Sequence, residues 1–259
     1  MTIGSFTLIR NEINFIKAHI EAWMPFLDSM IFYDGNSTDG TLEVLEGYAK
    51  HGGGLRLFKG KDPKDLTDDY TRLSNECMHS CPSDLVMFLH PDMFPENGEA
   101  LRKIPSDIIA ATFNIRSFAG DPDGKLYEIK GRGVKWKDIY RLNNPNLGAH
   151  YFGHYGAQDE DVYFSEITGN EHKHHGQEFS KYSYPVHESE LIINHFSDVR
   201  PYARRLERME RCLINQGYTP QKAKSIAPMH PRVSLKDDMV FKFIETNKIP
   251  WLVKIGGNK

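Results

Sequence analysis

Three short polar clusters carry side chains suited to ligand chemistry: Arg10-Asn11-Glu12, the run from Asp34 to Thr41, and His90-Pro91-Asp92. In Asp34-Gly35-Asn36-Ser37-Thr38-Asp39-Gly40-Thr41 the leading carboxylate can accept hydrogen bonds from a ribose or a base. Ser37, Thr38 and Asp39 are types that fix a turn and cap the helix after it. The same residues also make a plain capped turn, and residue type alone leaves both uses open. Lys59 and Lys61 can meet phosphate or simply face water. His172, His174 and His175 lack the i, i+4 spacing that aims two imidazoles at one ion from a helix, and they read as an exposed loop. Arg204-Arg205-x-x-Arg208-x-x-Arg211 lies at helical spacing, interleaved with Glu207 and Glu210. It reads as a solvated face that can also touch a phosphate or an anionic acceptor.

The elements that position these clusters follow from hydrophobic periodicity. Thr2 to Ile9 reads as a strand, and Ile13, Phe15, Ile16, Ile20 and Trp23 as the apolar face of a helix. A second strand, Met30 to Tyr33, stops at Asp34-Gly35-Asn36. A helix capped by Ser37 or Thr38 follows, carrying Leu42, Val44, Leu45 and Tyr48, and Gly52-Gly53-Gly54 ends it. Leu55 to Phe58 is a third strand, Asp69 to Cys81 a third helix and Leu85 to Leu89 a fourth strand. This alternation predicts an α/β fold with a parallel sheet, whose ligands sit beyond the carboxyl ends of the strands. All three polar clusters fall at such ends.

Beyond Ile108 to Ile115 the alternation fades, and Gly120 to Gly133 reads as a hairpin or mixed-sheet region. Asn143 to Pro185, rich in Gly, His, Tyr and acidic residues, reads as an active-site loop system or a small insertion. Glu190 to Phe196 is a late strand and Val199 to Gln216 a basic amphipathic helix with Tyr202, Leu206, Met209 and Leu213 on one side. Leu235 to Asn247 is expected to be a further helix.

Composition bounds the function classes. The chain has 259 residues, 32 Lys plus Arg against 35 Asp plus Glu, a net charge of −3 and 39% hydrophobic residues, which excludes whole-chain disorder and fibres. A pI near 6.5 gives no global attraction to nucleic acid. Apolar runs such as Leu85 to Leu89 fall far short of the roughly 18 residues of a membrane helix. The start, Met1-Thr2-Ile3-Gly4-Ser5-Phe6, lacks a secretory pattern, so a cytoplasmic location is expected. Cys77, Cys81 and Cys212 are too few for a disulfide framework and read as buried free thiols.

Arg10-Asn11-Glu12 followed by Asp34-x-x-Ser37-Thr38-Asp39-Gly40-Thr41 resembles family 2 glycosyltransferases of the GT-A fold, including bacterial lipopolysaccharide-type sugar transferases. The resemblance implies a Rossmann-like, mostly parallel sheet flanked by helices, with a mixed-sheet second half and C-terminal helices. It implies one domain over 1–259: a nucleotide-sugar-binding half (1–100), an acceptor and metal half (101–198) and C-terminal helices (199–259). The activity implied is transfer of a sugar from a nucleoside diphosphate, most often uridine diphosphate, to an acceptor hydroxyl of unknown class, with inversion at the anomeric carbon.

The resemblance assigns donor binding to Arg10, Asn11, Glu12, Asp34, Arg72 and Asp92, with Asn75 beside Arg72. The family's Asp-x-Asp metal motif reads here as His90-Pro91-Asp92, with histidine in the first carboxylate position. Metal ligation thus falls to His90, Asp92 and a late histidine, His195. Imidazole in place of carboxylate suits Mn2+ better than Mg2+. Gly153 to Gly156 matches the family's glycine-containing loop. The acidic run Asp159-Glu160-Asp161 and the Val186-His187-Glu188 segment offer two candidates for the catalytic base, Asp161 and Glu188. Two other readings compete: a non-catalytic nucleotide- or sugar-binding domain of the same fold, and a nucleotidyltransferase, whose glycine-rich basic phosphate loop Gly4 to Arg10 does not match.

Overall fold

Ile3–Ile9 is buried along its whole length and forms β1, as a strand covered on both faces must be. In the computed structural model, which describes residues 1–52, 54–60, 70–108, 110–120, 126–128, 141–147, 151–152, 163–164, 186–196, 202–215 and 217–229, it is the centre of the first half. The chain continues through α1 (Ile13–Trp23), β2 (Ser29–Asp34), α2 (Thr41–Lys50), β3 (Leu55–Lys59), α3 (Tyr70–Ser80) and β4 (Leu85–Phe88). These strands lie in the order β3-β2-β1-β4, all parallel. The alternation expected from periodicity is therefore present, with boundaries within a residue or two.

The mixed half contains β5 (Met93–Pro95), a 3-10 helix (Gly98–Lys103), β6 (Ala110–Gly120), β7 (Leu126–Glu128) and β8 (Arg141–Asn143). Beyond it come a second short ladder, β9 (Tyr151–Phe152) with β10 (Tyr163–Phe164), and the long β11 (Val186–His195). The main sheet extends beyond β4 through β8, β6, β11 and β5, with β7 hairpinned onto β6. β8 is antiparallel to both β4 and β6, and β6 is parallel to β11. Hence β1, β2, β4, β6 and β11 all point the same way and share one carboxyl edge. A parallel sheet flanked by helices and followed by a mixed half is the architecture the resemblance implies. Two helices close the described chain, α4 (Tyr202–Asn215) and α5 (Pro220–Ile226). Met209 and Leu213 of α4 pack on Ala223 of α5 and on Ala227 just beyond it, while Tyr202 is exposed.

Two expectations change, and one helix, α5, was not expected. α2 starts at Thr41, behind a left-handed Gly40 (φ 98°) with no side-chain cap bond, while Ser37 Oγ accepts from the Asn11 N–H instead. The late strand begins at Val186, four residues earlier than its apolar run. α5 was legible as Thr219-Pro220, a cap residue followed by proline at the first helical position; the Thr219 side chain accepts from the Lys222 backbone N–H. The helix expected at Leu235 to Asn247 lies outside the described residues. Cys77 and Cys81 are buried free thiols, as read, and burial pushes the Cys77 thiol up to about 12.

The core is tightest where β1 crosses its neighbours. Phe6 stacks on Phe88 with ring centroids 5.0 Å apart. At Gly4, a Cβ would lie 2.4 Å from Cys81 Sγ and 2.5 Å from Ser29 Oγ, so only glycine lets β1 pass that buried polar cluster.

Candidate active site

At the carboxyl edge, the turns after β1 and β2 are bonded to each other. The Asn11 backbone N–H donates to Ser37 Oγ (2.9 Å), and Asn11 Oδ1 accepts from the Thr38 backbone N–H (2.8 Å). The Glu12 N–H donates to Thr41 Oγ1 (2.9 Å) and the Ile13 N–H to Asp39 Oδ2 (3.2 Å). Asn11 and Asn36 adopt left-handed conformations (φ 55° and 60°), which asparagine tolerates better than most residues. The two motifs thus build one rigid double turn, in which Asn11, Ser37 and Asp39 hold backbone. Arg10, Asn11 and Glu12 sit half-buried around it, and the Glu12 carbonyl starts α1 by accepting from Phe15 and Ile16.

Asp34 is what this double turn presents. Its side chain is 1% exposed, and Oδ2 accepts from the Ser37 N–H at 2.9 Å. Oδ1 is buried and has no hydrogen-bond partner among the described residues. Leaving a buried carboxylate oxygen unsatisfied costs on the order of 1–3 kcal/mol or more, so such an atom calls for a reason. A hydroxyl or N–H donated by a ligand is one.

The other half of the site is built by β5 folding back onto β11. Their antiparallel register sets Met93 opposite His195, and the Phe196 N–H donates to the Asp92 carbonyl at 3.0 Å. This brings His195 Nε2 to 3.5 Å from Asp92 Oδ1, with Asp92 fully buried and His195 5% exposed. The His90 ring lies between Phe88, 4.8 Å away, and His195, 5.9 Å away. From beneath, α1 fixes the turn: His19 Nδ1–H and Trp23 Nε1–H both donate to the Met93 carbonyl, at 3.1 and 2.9 Å. Burial holds His19 neutral, its pKa lowered to about 4. From the far side, Arg208 of α4 places Nη1 3.8 Å from Asp92 Oδ2, and Arg205, one turn earlier, is buried. A solvated face describes Arg211, paired with Glu207, but not these two.

Asp34, His90, Asp92 and His195 therefore stand along one edge, on or just after the ends of β2, β4 and β11. Of the other candidates, Lys59 ends its strand at this same edge, opposite Asp34 in the β2–β3 register, and Arg72 lies in the first turn of α3. Arg72 is exposed on α3 and paired with Glu76 at 2.6 Å, while Asn75 is buried on the same helix. Lys59 is ion-paired with Glu46. Glu188 is exposed near the start of β11. It pairs with Thr112 where His195 pairs with Ser117, so five residues of β6 separate the two levels, about 17 Å by strand rise. The structure does not bring Glu188 to the site. Asp159, Glu160 and Asp161, the Gly153 to Gly156 loop, Lys61 and the histidines at 172, 174 and 175 lie outside the described residues.

The fit of a divalent cation turns on the Asp92 and His195 pair. Among the described residues no group of three or more His, Cys, Asp or Glu side chains forms a self-sufficient metal centre. Two donors each about 2.0–2.2 Å from one ion sit roughly 3.0–3.5 Å apart, and Asp92 Oδ1 and His195 Nε2 are 3.5 Å apart. The pair fits an ion that completes its shell with phosphate oxygens and water, as cations at phosphate-transfer sites commonly do. The sequence pointed to His90, Asp92 and His195. It gave no sign of His19 or Trp23 beyond their i, i+4 spacing on the buried face of α1, and nothing separated Arg208 from Arg211.

No family model matches the chain, and no curated protein does. Among solved structures it is similar to S. aureus TarS 1–349, at 13% identity and a TM-score of 0.47, over 98% of this chain and 79% of that one. It is similar to the mannosyltransferase PcManGT from Pyrobaculum calidifontis in complex with GDP-Man and Mn2+, at 11% identity and a TM-score of 0.48, over 98% and 78%. It is also similar to GalNAc-T7 with UDP, GalNAc and Mn2+, at 10% identity and a TM-score of 0.43, over 99% and 58%.

Proposed function

We propose that the chain is an inverting glycosyltransferase that takes its sugar from a nucleoside diphosphate and passes it to an acceptor hydroxyl. The observation that carries this reading is one shared edge with two unlike ends: a buried carboxylate with an open oxygen, Asp34 Oδ1, and a carboxylate-imidazole pair, Asp92 with His195. The first suits the hydrogen-bond donors of a nucleoside, the second a cation with its diphosphate, and a nucleotide-sugar joins both in one molecule. The Arg10-Asn11-Glu12 and Asp34 to Thr41 motifs support it, since the structure gives them the joint task of holding Asp34 in place.

In this reading Asp34 accepts from the nucleoside, the double turn keeps that carboxylate fixed, and Asp92 and His195 hold a divalent cation. When bound, the cation stabilises the charge developing on the leaving diphosphate. One imidazole and one carboxylate favour Mn2+ over Mg2+. The acceptor hydroxyl attacks the anomeric carbon opposite the diphosphate, forming the new C–O bond as the bond to phosphate breaks. Its proton passes to a carboxylate, which we assign to Asp161 in the run Asp159-Glu160-Asp161, because Glu188 stands at the other end of its strand. Uridine diphosphate sugars are the first donors to try.

The histidine in place of a carboxylate at residue 90 favours one rival, a domain that binds a nucleotide-sugar without cleaving it. A panel of nucleotide-sugars incubated with Mn2+ separates the two through release of free nucleoside diphosphate. Release by the wild type and its loss in Asp92→Ala are expected; intact donors across the panel, with binding retained, would leave the binder.

A further inference from the structure

α1 grips both ends of the site. Where it begins, the N–H groups of Asn11, Glu12 and Ile13 donate to the side chains of Ser37, Thr41 and Asp39, in the double turn that presents Asp34. Further along, His19 Nδ1–H and Trp23 Nε1–H converge on the Met93 carbonyl, at 3.1 and 2.9 Å. At the rise of a helix, about 9–15 Å of α1 separates the two grips. Met93 directly follows Asp92, whose own carbonyl accepts from the Phe196 N–H. Through the sheet the two ends are linked only indirectly, since β1, β4, β8, β6 and β11 stand between β2 and β5. The chain leaves β4 at Phe88 and reaches Asp92 through a turn that the Met93 N–H closes on the His90 carbonyl. α1 holds that turn from outside it.

Filling a core does not call for these two residues. Both are fully buried, and leucine or phenylalanine would take up similar space without a donor to satisfy. A carbonyl only accepts, so the imidazole carries its proton on Nδ1, and burial keeps the ring neutral. Two donors on one oxygen fix the peptide between Met93 and Phe94, and with it the carboxylate one residue earlier. Ligands of a cation tolerate about 0.5 Å of misplacement before the site loosens. A molecule that meets both Asp34 and a cation at Asp92 gains from this rigidity, because its second contact then forms with little further loss of freedom. We propose that α1 is a strut that couples the two ends of the site, with His19 and Trp23 as positioning residues that hold Asp92 at a fixed distance from Asp34, so that cation and nucleoside diphosphate bind cooperatively. This rests on the glycosyltransferase reading and adds the residues that join its cation end to its nucleoside end.

The test measures that coupling in the full chain, by calorimetry, as the ratio of the dissociation constants for UDP or GDP without a divalent cation and with saturating Mn2+. In His19→Leu and in Trp23→Phe the ratio is expected to fall by about fivefold or more, while uridine and guanosine, which lack the diphosphate, bind within about twofold of wild type. His19→Asn keeps a side-chain N–H near the place of Nδ1 and is expected to recover most of the ratio. Urea unfolding checks that each variant is folded under the assay conditions, and Trp23→Phe carries the test if the leucine variant is not. Residues that only fill the core would lower stability and leave the ratio as it is, so an unchanged ratio in folded variants overturns the proposal. Parallel weakening of nucleoside and nucleotide does the same, as does an asparagine variant that behaves like the leucine one. If Mn2+ fails to tighten UDP or GDP binding even in the wild type, the parent reading fails; if it tightens binding there and equally in the variants, only the strut falls.

Discussion

Replacing Asp34 with asparagine tests the nucleoside end of the site with little change in volume. The asparagine carbonyl can still accept from the Ser37 N–H, the bond that Asp34 Oδ2 makes at 2.9 Å, so the turn keeps its anchor. The amide nitrogen then takes the position of Oδ1, the buried oxygen with no partner among the described residues. An acceptor becomes a donor, and a charge becomes neutral. If Oδ1 accepts from a ribose hydroxyl or a base N–H, the variant loses a hydrogen bond to a charged group, about 1.5–3 kcal/mol. That corresponds to a roughly 10- to 150-fold weaker dissociation constant. Without ligand the exchange removes a buried anion that lacks one partner, so unfolding stability should stay within about 1 kcal/mol or rise. Calorimetric titration with UDP and GDP, alongside urea denaturation of both proteins, reads the two effects separately. Nucleotide affinities within about twofold of wild type would refute the argument, as they would show that nothing in the ligand meets Oδ1.

Three further predictions concern the cation, the buried histidine and the packing of β1. In His90→Asp, activation by Mg2+ relative to Mn2+ should rise severalfold as a carboxylate joins Asp92 and His195 at the ion; an unchanged ratio in donor-release assays would mean that a side chain at residue 90 does not reach it. His19 stays neutral in the fold down to about pH 4, while its unfolded counterpart takes up a proton near 6.5. The unfolded chain therefore binds more protons in that window, and stability falls as pH drops from 6.5 through 4, by about 3 kcal/mol from this group. His19→Leu should lose that part of the slope in urea titrations at a series of pH values, since Trp23 Nε1 still donates to the Met93 carbonyl; parallel curves would contradict it. Gly4→Ala should destabilise by about 1–3 kcal/mol by driving a methyl into Cys81, Ser29 and Ser83, and a loss under about 0.5 kcal/mol would mean that β1 shifts freely.

Local sequence determined the parallel half of this protein. Strands at Ile3–Ile9, Ser29–Asp34, Leu55–Lys59 and Leu85–Phe88 are short apolar runs separated by amphipathic helices, and both signals are contained in windows of a dozen residues. The polar clusters at the strand ends were legible for the same reason: in a parallel sheet, the residue after a strand already has an assigned edge. What the clusters do with one another was not legible. Asn11 meets Ser37 and Thr38, and Asp92 meets His195, across gaps that no periodicity spans, through pairings of β1 with β2 and β5 with β11. Arg208 shows the limit most plainly. Its side chain, spacing and neighbours in sequence match those of Arg211, yet one faces a buried carboxylate and the other pairs with Glu207 on its own helix. What separates them is which residues lie against each one in space, and that is decided by contacts between parts far apart in the chain, here Asp92 and α4.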